Sequence, residues 1–341
     1  MKVAVLHSYT DIRIEDWRIP EVEAGEALIQ MKACGICSGD VMPWYIEKKA
    51  PLVLGHEPAG RIVALGEGAP PRFKVGDMVF VHHHAPCMKC RHCKKGDHVL
   101  CETWKRSRII PGGLAEYVKI PKVNLERDTL VLPKKVGYLG GVMVEPLACV
   151  VKGIRRMTIE PGDRVLVIGL GIMGMLFVVL AKHYGASKVI GVDMNQYRLA
   201  KALDMGATDV VDITEENAKT RIDKLTGGDG ADKVVIGPGS IPAMAQGIAC
   251  AGPGSTVLFF TPTPPGDILK IDQNRLYFNE VSLVQSYSCG PDDTREALKL
   301  LASGVIPIRK LITHQFPLSE AAEAFRLTSK AGESLKAVVV F

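Results

Sequence analysis

The chain runs to 341 residues, 47% hydrophobic and 23% charged, a composition of ordinary globular domains and a length that suits about two of them. Its formal charge of +5, from 42 Lys and Arg against 37 Asp and Glu, is spread without a long basic block, which argues against a nucleic-acid surface. The opening turns polar after six residues and nine cysteines follow, so the expectation is a chain without a secretory signal, its thiols reduced in the cytoplasm.

Up to about residue 150 the texture is short β-like runs, 26–32, 61–65, 78–81 and 114–120, broken by glycine and proline, which predicts an irregular β domain. Within it Cys34-Gly-Ile-Cys37 precedes Ser38-Gly39-Asp40, and His56-Glu57 follows Gly55. Thiolate, imidazole and carboxylate all ligate zinc, and three protein ligands leave a position for substrate oxygen. Taken singly each has a plainer reading, Cys34 and Cys37 as small buried hydrophobes and His56 as a hydrogen-bonded core histidine. His82, His83 and His84 come next; strand alternation puts His82 and His84 on one face and His83 on the other, or the three mark a partly exposed strand end.

Cys87, Cys90, Cys93 and Cys101 follow, with two steps of three residues and one of eight. That spacing lets a short lobe curl around a tetrahedral ion with four Zn–S bonds of about 2.3 Å. Disulfides or redox chemistry are the competing reading, set aside because a chain of this size needs no covalent staples. A closed four-sulfur site leaves no room for substrate, so the chemistry belongs elsewhere. His92 and His98, inside the lobe, are expected to be solvated.

From residue 164 the pattern changes. A β-branched run, Arg164-Val-Leu-Val-Ile, enters Gly169-Leu-Gly171-Ile-Met-Gly174, an apolar helical stretch follows to Tyr184, and Gly185 closes it. The strand 188–192 then ends at Asp193, nineteen residues past the third glycine. In a dinucleotide-binding unit the first glycine makes the tight turn and the second admits pyrophosphate. The third lets helix pack on strand, and the acid accepts from the adenosine ribose. Asp193 favours NAD over NADP, since a carboxylate repels a 2′-phosphate; Arg198 either bridges to the ribose and offsets that bias or is a solvated helix-face residue. The seventeen uncharged residues 165–181 are short for a membrane span, and their glycines fit this turn better. Further apolar runs at 209–212, 233–236, 256–260 and 281–285 predict a doubly wound parallel sheet over about 155–286, with Pro/Gly turns at 237–239, 252–254 and 261–266.

Several of these motifs occur together and in order: Gly55-His56-Glu57-x-x-Gly60, Val75-Gly76-Asp77, the four-cysteine lobe, Gly112-Gly113-Leu-Ala-Glu-Tyr117, Glu145-Pro146-Leu147 and the Gly169 turn. In this the chain resembles the zinc-containing medium-chain dehydrogenases, which include alcohol, polyol and threonine dehydrogenases. The resemblance implies an α/β fold: a GroES-like β-barrel catalytic domain over 1–150, completed by 287–341, and an inserted Rossmann domain over 151–286. It implies two zinc ions per chain, one structural and one catalytic, the latter held by Cys37 and His56 with Glu57 as an exchangeable neighbour. Glu145 falls where polyol and threonine dehydrogenases carry a glutamate at that metal, and Asp40 where an acid fixes the ligand imidazole. It also implies a zinc-polarised secondary alcohol, polyol or sugar-like, giving hydride to NAD. The family's usual proton relay is missing, since Gly39 and Met42 stand at its positions, leaving Ser38, Glu57 or water. His84 stands where threonine dehydrogenases have a substrate-influencing histidine, so threonine oxidation is one alternative and a catalytically silent zinc- and dinucleotide-binding scaffold another. Trp44, Tyr45, Tyr287 and Ser288 are pocket candidates. The expected partners are a small-molecule alcohol and further copies of the chain, as homodimer or homotetramer, with neither membrane nor nucleic acid.

Overall fold

A computed structural model describes residues 1–330 and 332–341. The chain divides into two units, Met1–Ala148 with Ser288–Phe341, and Cys149–Tyr287.

In the first unit, Ala27, Ile29, Met31 and Ala33 are buried in alternation with half-exposed neighbours, the period of a strand with one face in a core. Their strand, Ala27–Gly35, is central to a seven-stranded sheet. The order is Ile312–Pro317, Lys336–Val340, Ala27–Gly35, Glu57–Leu65, Met78–Val81, Thr129–Val131, and Tyr117–Ile120 also pairs with Ala27–Gly35. Only the first pair is parallel. Tyr117–Ile120 takes the beginning of the central strand and Lys336–Val340 its end, and register shifts at Leu28/Ile29 and Met31/Ala33 bend it between them. A smaller antiparallel sheet joins Asp11–Asp16, Lys2–Ser8 and Leu52–Val53. Val3, Leu6, Ile29, Met31, Ile62, Val118 and Val339 share one core. Burying side chains of this size stabilises by about 1.5–3 kcal/mol each. The run expected at 114–120 begins as a strand only at Tyr117, because Leu114 bonds elsewhere: its N–H donates to Leu54 and its carbonyl accepts from Ala4.

The second unit is a six-stranded parallel sheet in the order Asp209–Asp212, Lys188–Asp193, Arg164–Ile168, Ala231–Ile236, Ala251–Phe259, Ser282–Gln285. In sequence terms this is 3-2-1-4-5-6, the dinucleotide-fold order, whose reversal lies beside the first strand. That strand is buried from Val165 to Ile168, as a central parallel strand must be. Helices Gln196–Asp204, Ala218–Thr226 and Ile241–Cys250 start at Asn195, Asn217 and Ser240, whose side chains each accept from a backbone N–H of the first turn. Residues 165–181 form the first strand and most of helix Ile172–His183. Among the described residues, one helical stretch, Gly137–Met157, is long and apolar enough to cross a membrane, and 72% of its apolar window is buried within the protein.

Candidate metal and cofactor sites

The cysteine lobe folds through two short turns, Arg91–Lys94 and His98–Leu100, into helix Glu102–Arg106. Cys87, Cys90, Cys93 and Cys101 bring their sulfurs within 4.8 Å of one another. The Cys87–Cys93 and Cys90–Cys93 separations are 3.9 and 3.5 Å, against roughly 3.8 Å for the edge of a tetrahedron with 2.3 Å zinc–sulfur bonds. Backbone N–H groups of Lys89 and Cys90 donate to Cys87 Sγ and draw its thiol down to about 6. Burial pushes Cys93 up to about 12, so a cation is what makes all four sulfurs thiolate together. The lobe's own apolar core is small, Val99 and Trp104 with the cysteines, so zinc would supply most of its cohesion. His92 is exposed as expected, but His98 is not: it is buried, its ring fills the space left by the absent side chain of Gly290, and Nε2 lies 4.0 Å from Asp292.

A second cluster forms where the central sheet ends. Register sets Gly35 opposite both Glu57 and Val338, so the chain leaving Gly35 toward Cys37 passes beside Glu57. Cys37, His56 and Glu57 present ligand atoms within 4.8 Å of one another. Asp40 is buried with Oδ2 3.4 Å from His56 Nδ1; burial opposes charge on the imidazole, but Asp40 and then Cys37 outweigh it and hold His56 well above its usual range. Cys34 takes the plainer reading. It is buried, burial and Glu57 push its thiol to about 12, and it fills space that only glycines at 55 and 113 leave open. The Gly39 N–H donates to Cys37 Sγ at 3.3 Å, and Ser38 is exposed. A Cβ on Gly39 would lie 3.5 Å from Cys37 Sγ, ordinary contact, so sterics do not explain the missing hydroxyl.

Sequence reasoning missed Lys336. Fully buried at the start of its strand, it donates to Glu57 Oε1 at 2.6 Å and to the carbonyl of Ile36 at 3.0 Å. Burial raises the Glu57 carboxyl, and the Lys336 charge works against that rise. Glu145, expected at the same metal as Cys37 and His56, has a carboxylate oxygen within 4.8 Å of ligand atoms of His82 and Cys289, and it interacts electrostatically with Glu57, His56 and Lys336. The three histidines have different neighbours, Trp104 for His82 and His84, and His56 for His83. His83 stacks toward His56, ring centres 4.9 Å apart, and its buried Nδ1 has no hydrogen-bond partner among the described residues. His84 turns to Trp104, 4.0 Å between ring centres, with Nδ1 at the Ser107 carbonyl and Arg108; burial and Arg108 lower it to about 3. Trp44 and Tyr45 stack edge-to-face on the turn Pro43–Ile46. Tyr287 is exposed, its carbonyl accepting from Lys152, and Ser288 has a positive φ of 49°.

In the second unit Gly169 adopts φ 84°, and Gly174 passes so close to the turn that a Cβ there would lie 2.0 Å from the Gly169 carbonyl oxygen. At Gly171, which begins helix Ile172–His183, a Cβ would find only Arg198 Nη1, at 3.9 Å. Asp193 is buried: Oδ2 accepts from Leu170 N–H at 2.7 Å, and Oδ1 from Met194 and Asn195 at 2.8 and 3.0 Å. Arg198 Nε is buried without a hydrogen-bond partner.

A lobe of four clustered thiols, a mixed-donor cluster on a β unit and a glycine turn on a parallel sheet fit a metal-dependent dinucleotide enzyme. The alcohol dehydrogenase GroES-like domain matches residues 23–130 and the zinc-binding dehydrogenase domain residues 172–303. A sorbitol dehydrogenase of Bombyx mori is 33% identical, covering 98% of this chain and 97% of its own. D-xylulose reductase A of Aspergillus oryzae is 31% identical, covering 98% and 95%. An alcohol dehydrogenase of Escherichia coli CFT073, solved with NADH, is 25% identical with a TM-score of 0.89, covering 100% of this chain and 99% of that one. The chain belongs to the zinc-containing medium-chain dehydrogenase family, whose cofactors are zinc and a nicotinamide dinucleotide.

Proposed function

We propose that this chain oxidises a secondary alcohol carrying neighbouring hydroxyls, a polyol or sugar-like substrate, with NAD as acceptor. The observation that carries the reading is the convergence of Cys37, His56 and Glu57, with His83 and its unpaired Nδ1 beside them. One soft, one intermediate and one hard donor within reach of a single ion suit zinc. Bound there, zinc supplies a Lewis acid that eases proton loss from a hydroxyl, and the nicotinamide supplies the hydride acceptor. The chain's own residues do the rest. The Asp40 carboxylate faces His56 Nδ1 at 3.4 Å, an ion-pair approach that favours Nε2 as the metal-facing nitrogen. Lys336 fixes the Glu57 carboxylate, and His83 offers a hydrogen bond to a second substrate hydroxyl, a buried polar group that gains from a partner. Ser38 and Glu57 are the groups nearest Cys37 in sequence or space able to carry a proton away. His84 rests on Trp104 with Nδ1 at the Ser107 carbonyl, which favours the polyol reading over threonine oxidation.

We assign catalysis to the unit Met1–Ala148 with Ser288–Phe341 and cofactor binding to Cys149–Tyr287, with Gly171 at the pyrophosphate and Asp193 at the ribose. The Asp193 carboxylate supports NAD, and Arg198, lacking an ion pair among the described residues, is the group through which NADP would enter. A homo-oligomer in a reducing, cytoplasmic setting completes the reading.

The test is a panel of polyols, sugar alcohols, cyclic alcohols and L-threonine with NAD and NADP, read by nicotinamide absorbance, together with Cys37→Ser and Cys87→Ser. The expected result is polyol turnover with NAD, turnover lost but fold kept in Cys37→Ser, and impaired folding in Cys87→Ser. The reverse pattern, or a folded two-zinc protein inert to every alcohol, overturns it in favour of a silent scaffold.

A further inference from the structure

Three cations that the sequence disperses, Arg72, Arg127 and Arg295, are gathered by the fold into the first unit. Asp128, the last residue of helix Lys122–Asp128, is buried, and its Oδ1 accepts from the buried Thr294 hydroxyl of helix Pro291–Ser303 at 2.5 Å. That bond brings their sequence neighbours Arg127 and Arg295 together, and Arg295 Nη2 reaches the Arg127 carbonyl at 3.4 Å. Arg72, in the loop between strands Glu57–Leu65 and Met78–Val81, donates from Nη2 to the carbonyls of Leu125 and Glu126 at 3.0 and 2.8 Å. The three side chains line one cleft of about 450 Å³, with Phe73, Leu130 and Val131 as apolar wall. We propose that this cleft is an anion site that takes the phosphate group of a small molecule, as the free ion or as a phosphate ester.

Charge and geometry carry this assignment. Among the described residues Glu126 is the one carboxylate in the lining, and it lies 3.7 Å from Arg127 and 4.0 Å from Lys122. Asp292 approaches Arg295 at 3.3 Å, but Arg72 has no carboxylate within ion-pair reach among the described residues. Burial and the nearby Arg295 lower Arg72 from its usual range; Glu126 offsets part of that fall and Arg127 adds to it. An anion among the three guanidiniums would relieve their repulsion, and each planar fork matches two phosphate oxygens at once. Arg72 and Arg295 are held before any ligand arrives, by the carbonyls of residues 125–127 and, for Arg72, by the Phe73 ring, 4.6 Å from its guanidinium carbon to the ring centre. Side chains so fixed lose little freedom on binding. The volume exceeds what a bare ion needs and is that of a small-molecule site, and the apolar wall suits an organic body on the phosphate. A second cleft of about 380 Å³ shares Glu126 and Arg127 and adds Lys89 and Lys122, so the positive field extends toward the cysteine lobe.

The alternative is that Arg72 and Arg295 serve only to bond the carbonyls that end helix Lys122–Asp128. Calorimetric titration of the zinc-loaded chain, with NADH present to fill the dinucleotide turn, separates the two when inorganic phosphate and phenyl phosphate are the probes. One saturable site per chain is expected, weakened about tenfold or more in Arg72→Gln and in Arg295→Gln, and weakened in the parent by added salt. Tighter binding of phenyl phosphate assigns the site to an ester, and equal or tighter binding of inorganic phosphate assigns it to the free ion. No saturation by either probe overturns the proposal, as does parental affinity in a folded variant. If neither variant folds, crystals of the parent grown with phenyl phosphate decide: phosphate density among Arg72, Arg127 and Arg295 supports the site, and its absence there overturns it.

Discussion

A buried lysine beside a buried glutamate is costly to assemble and costlier to half-remove. Lys336 sits 1% exposed against Glu57, in a space that opens because Gly35 has no Cβ; one there would lie 2.7 Å from Lys336 Cε. Replacing Lys336 by Met leaves the carboxylate buried without its counter-charge, and the expected cost is about 3–5 kcal/mol in urea unfolding. Lys336→Met with Glu57→Gln should recover most of it; a single variant as stable as the parent would show that the pair contributes nothing. The sequence pointed to Glu57 because it adjoins His56 in a local motif. It did not point to Lys336, 279 residues away, because a lysine opening an apolar run usually reaches back to solvent. Cys34 and Cys37 were likewise inseparable by type. The backbone separates them, ending the strand at Gly35 so that Cys34 turns to the core and Cys37 to His56 and Glu57.

Elements whose causes are local were legible, and those that depend on distant pairing were not. The Gly169 turn carries its strand, glycines, helix and acid within thirty residues, and all fall where expected. The Gly252-Pro253-Gly254 run reads as a turn, yet it lies inside strand Ala251–Phe259, where Ala251 pairs with Ala231 and the register shifts before Thr256 pairs with Lys233. The hairpin Lys2–Ser8 with Asp11–Asp16 and the strands Ile312–Pro317 and Lys336–Val340 went unread, their order being settled by pairing rather than pattern. The first strand of the parallel sheet also carries a pH prediction. Arg164 grips Asp232 with Nε and Nη2 at 2.9 and 2.8 Å, and that hydrogen bonding lowers the Asp232 carboxyl. A depressed carboxyl contributes stability above its unfolded value, about 3.9, and loses it as pH falls through the lower folded value. Asp232→Asn should therefore lower the melting temperature at pH 7 and leave it nearly unchanged well below pH 3. The pair is partly exposed and screened, so the effect is at most about 1 kcal/mol and shrinks in salt. An equal deficit at both pH values would refute the linkage.

At the scale of the whole molecule, the second unit exposes Ile268, Tyr277 and Phe278 at 78, 69 and 74% in the stretch leading to Ser282–Gln285, one of the two edge strands of its sheet. An open edge beside large apolar side chains invites pairing with another chain. Light scattering should give a dimer or tetramer, and Phe278→Glu should shift it toward monomer; a monomeric parent would refute this. The strand was legible as the run 281–285, but the bare side chains were not, since exposure is a property of the folded surface and not of residue type.

The order of the first sheet has a further consequence for synthesis. Lys336–Val340 is translated last of its strands but is seated between Ile312–Pro317 and Ala27–Gly35. Glu57 thus waits for its ammonium partner while 279 residues leave the ribosome, roughly 15–55 s at common elongation rates. Cys149–Tyr287, being contiguous, emerges entire within that interval, so the nascent chain completes its second unit while the first is still an unfinished sheet.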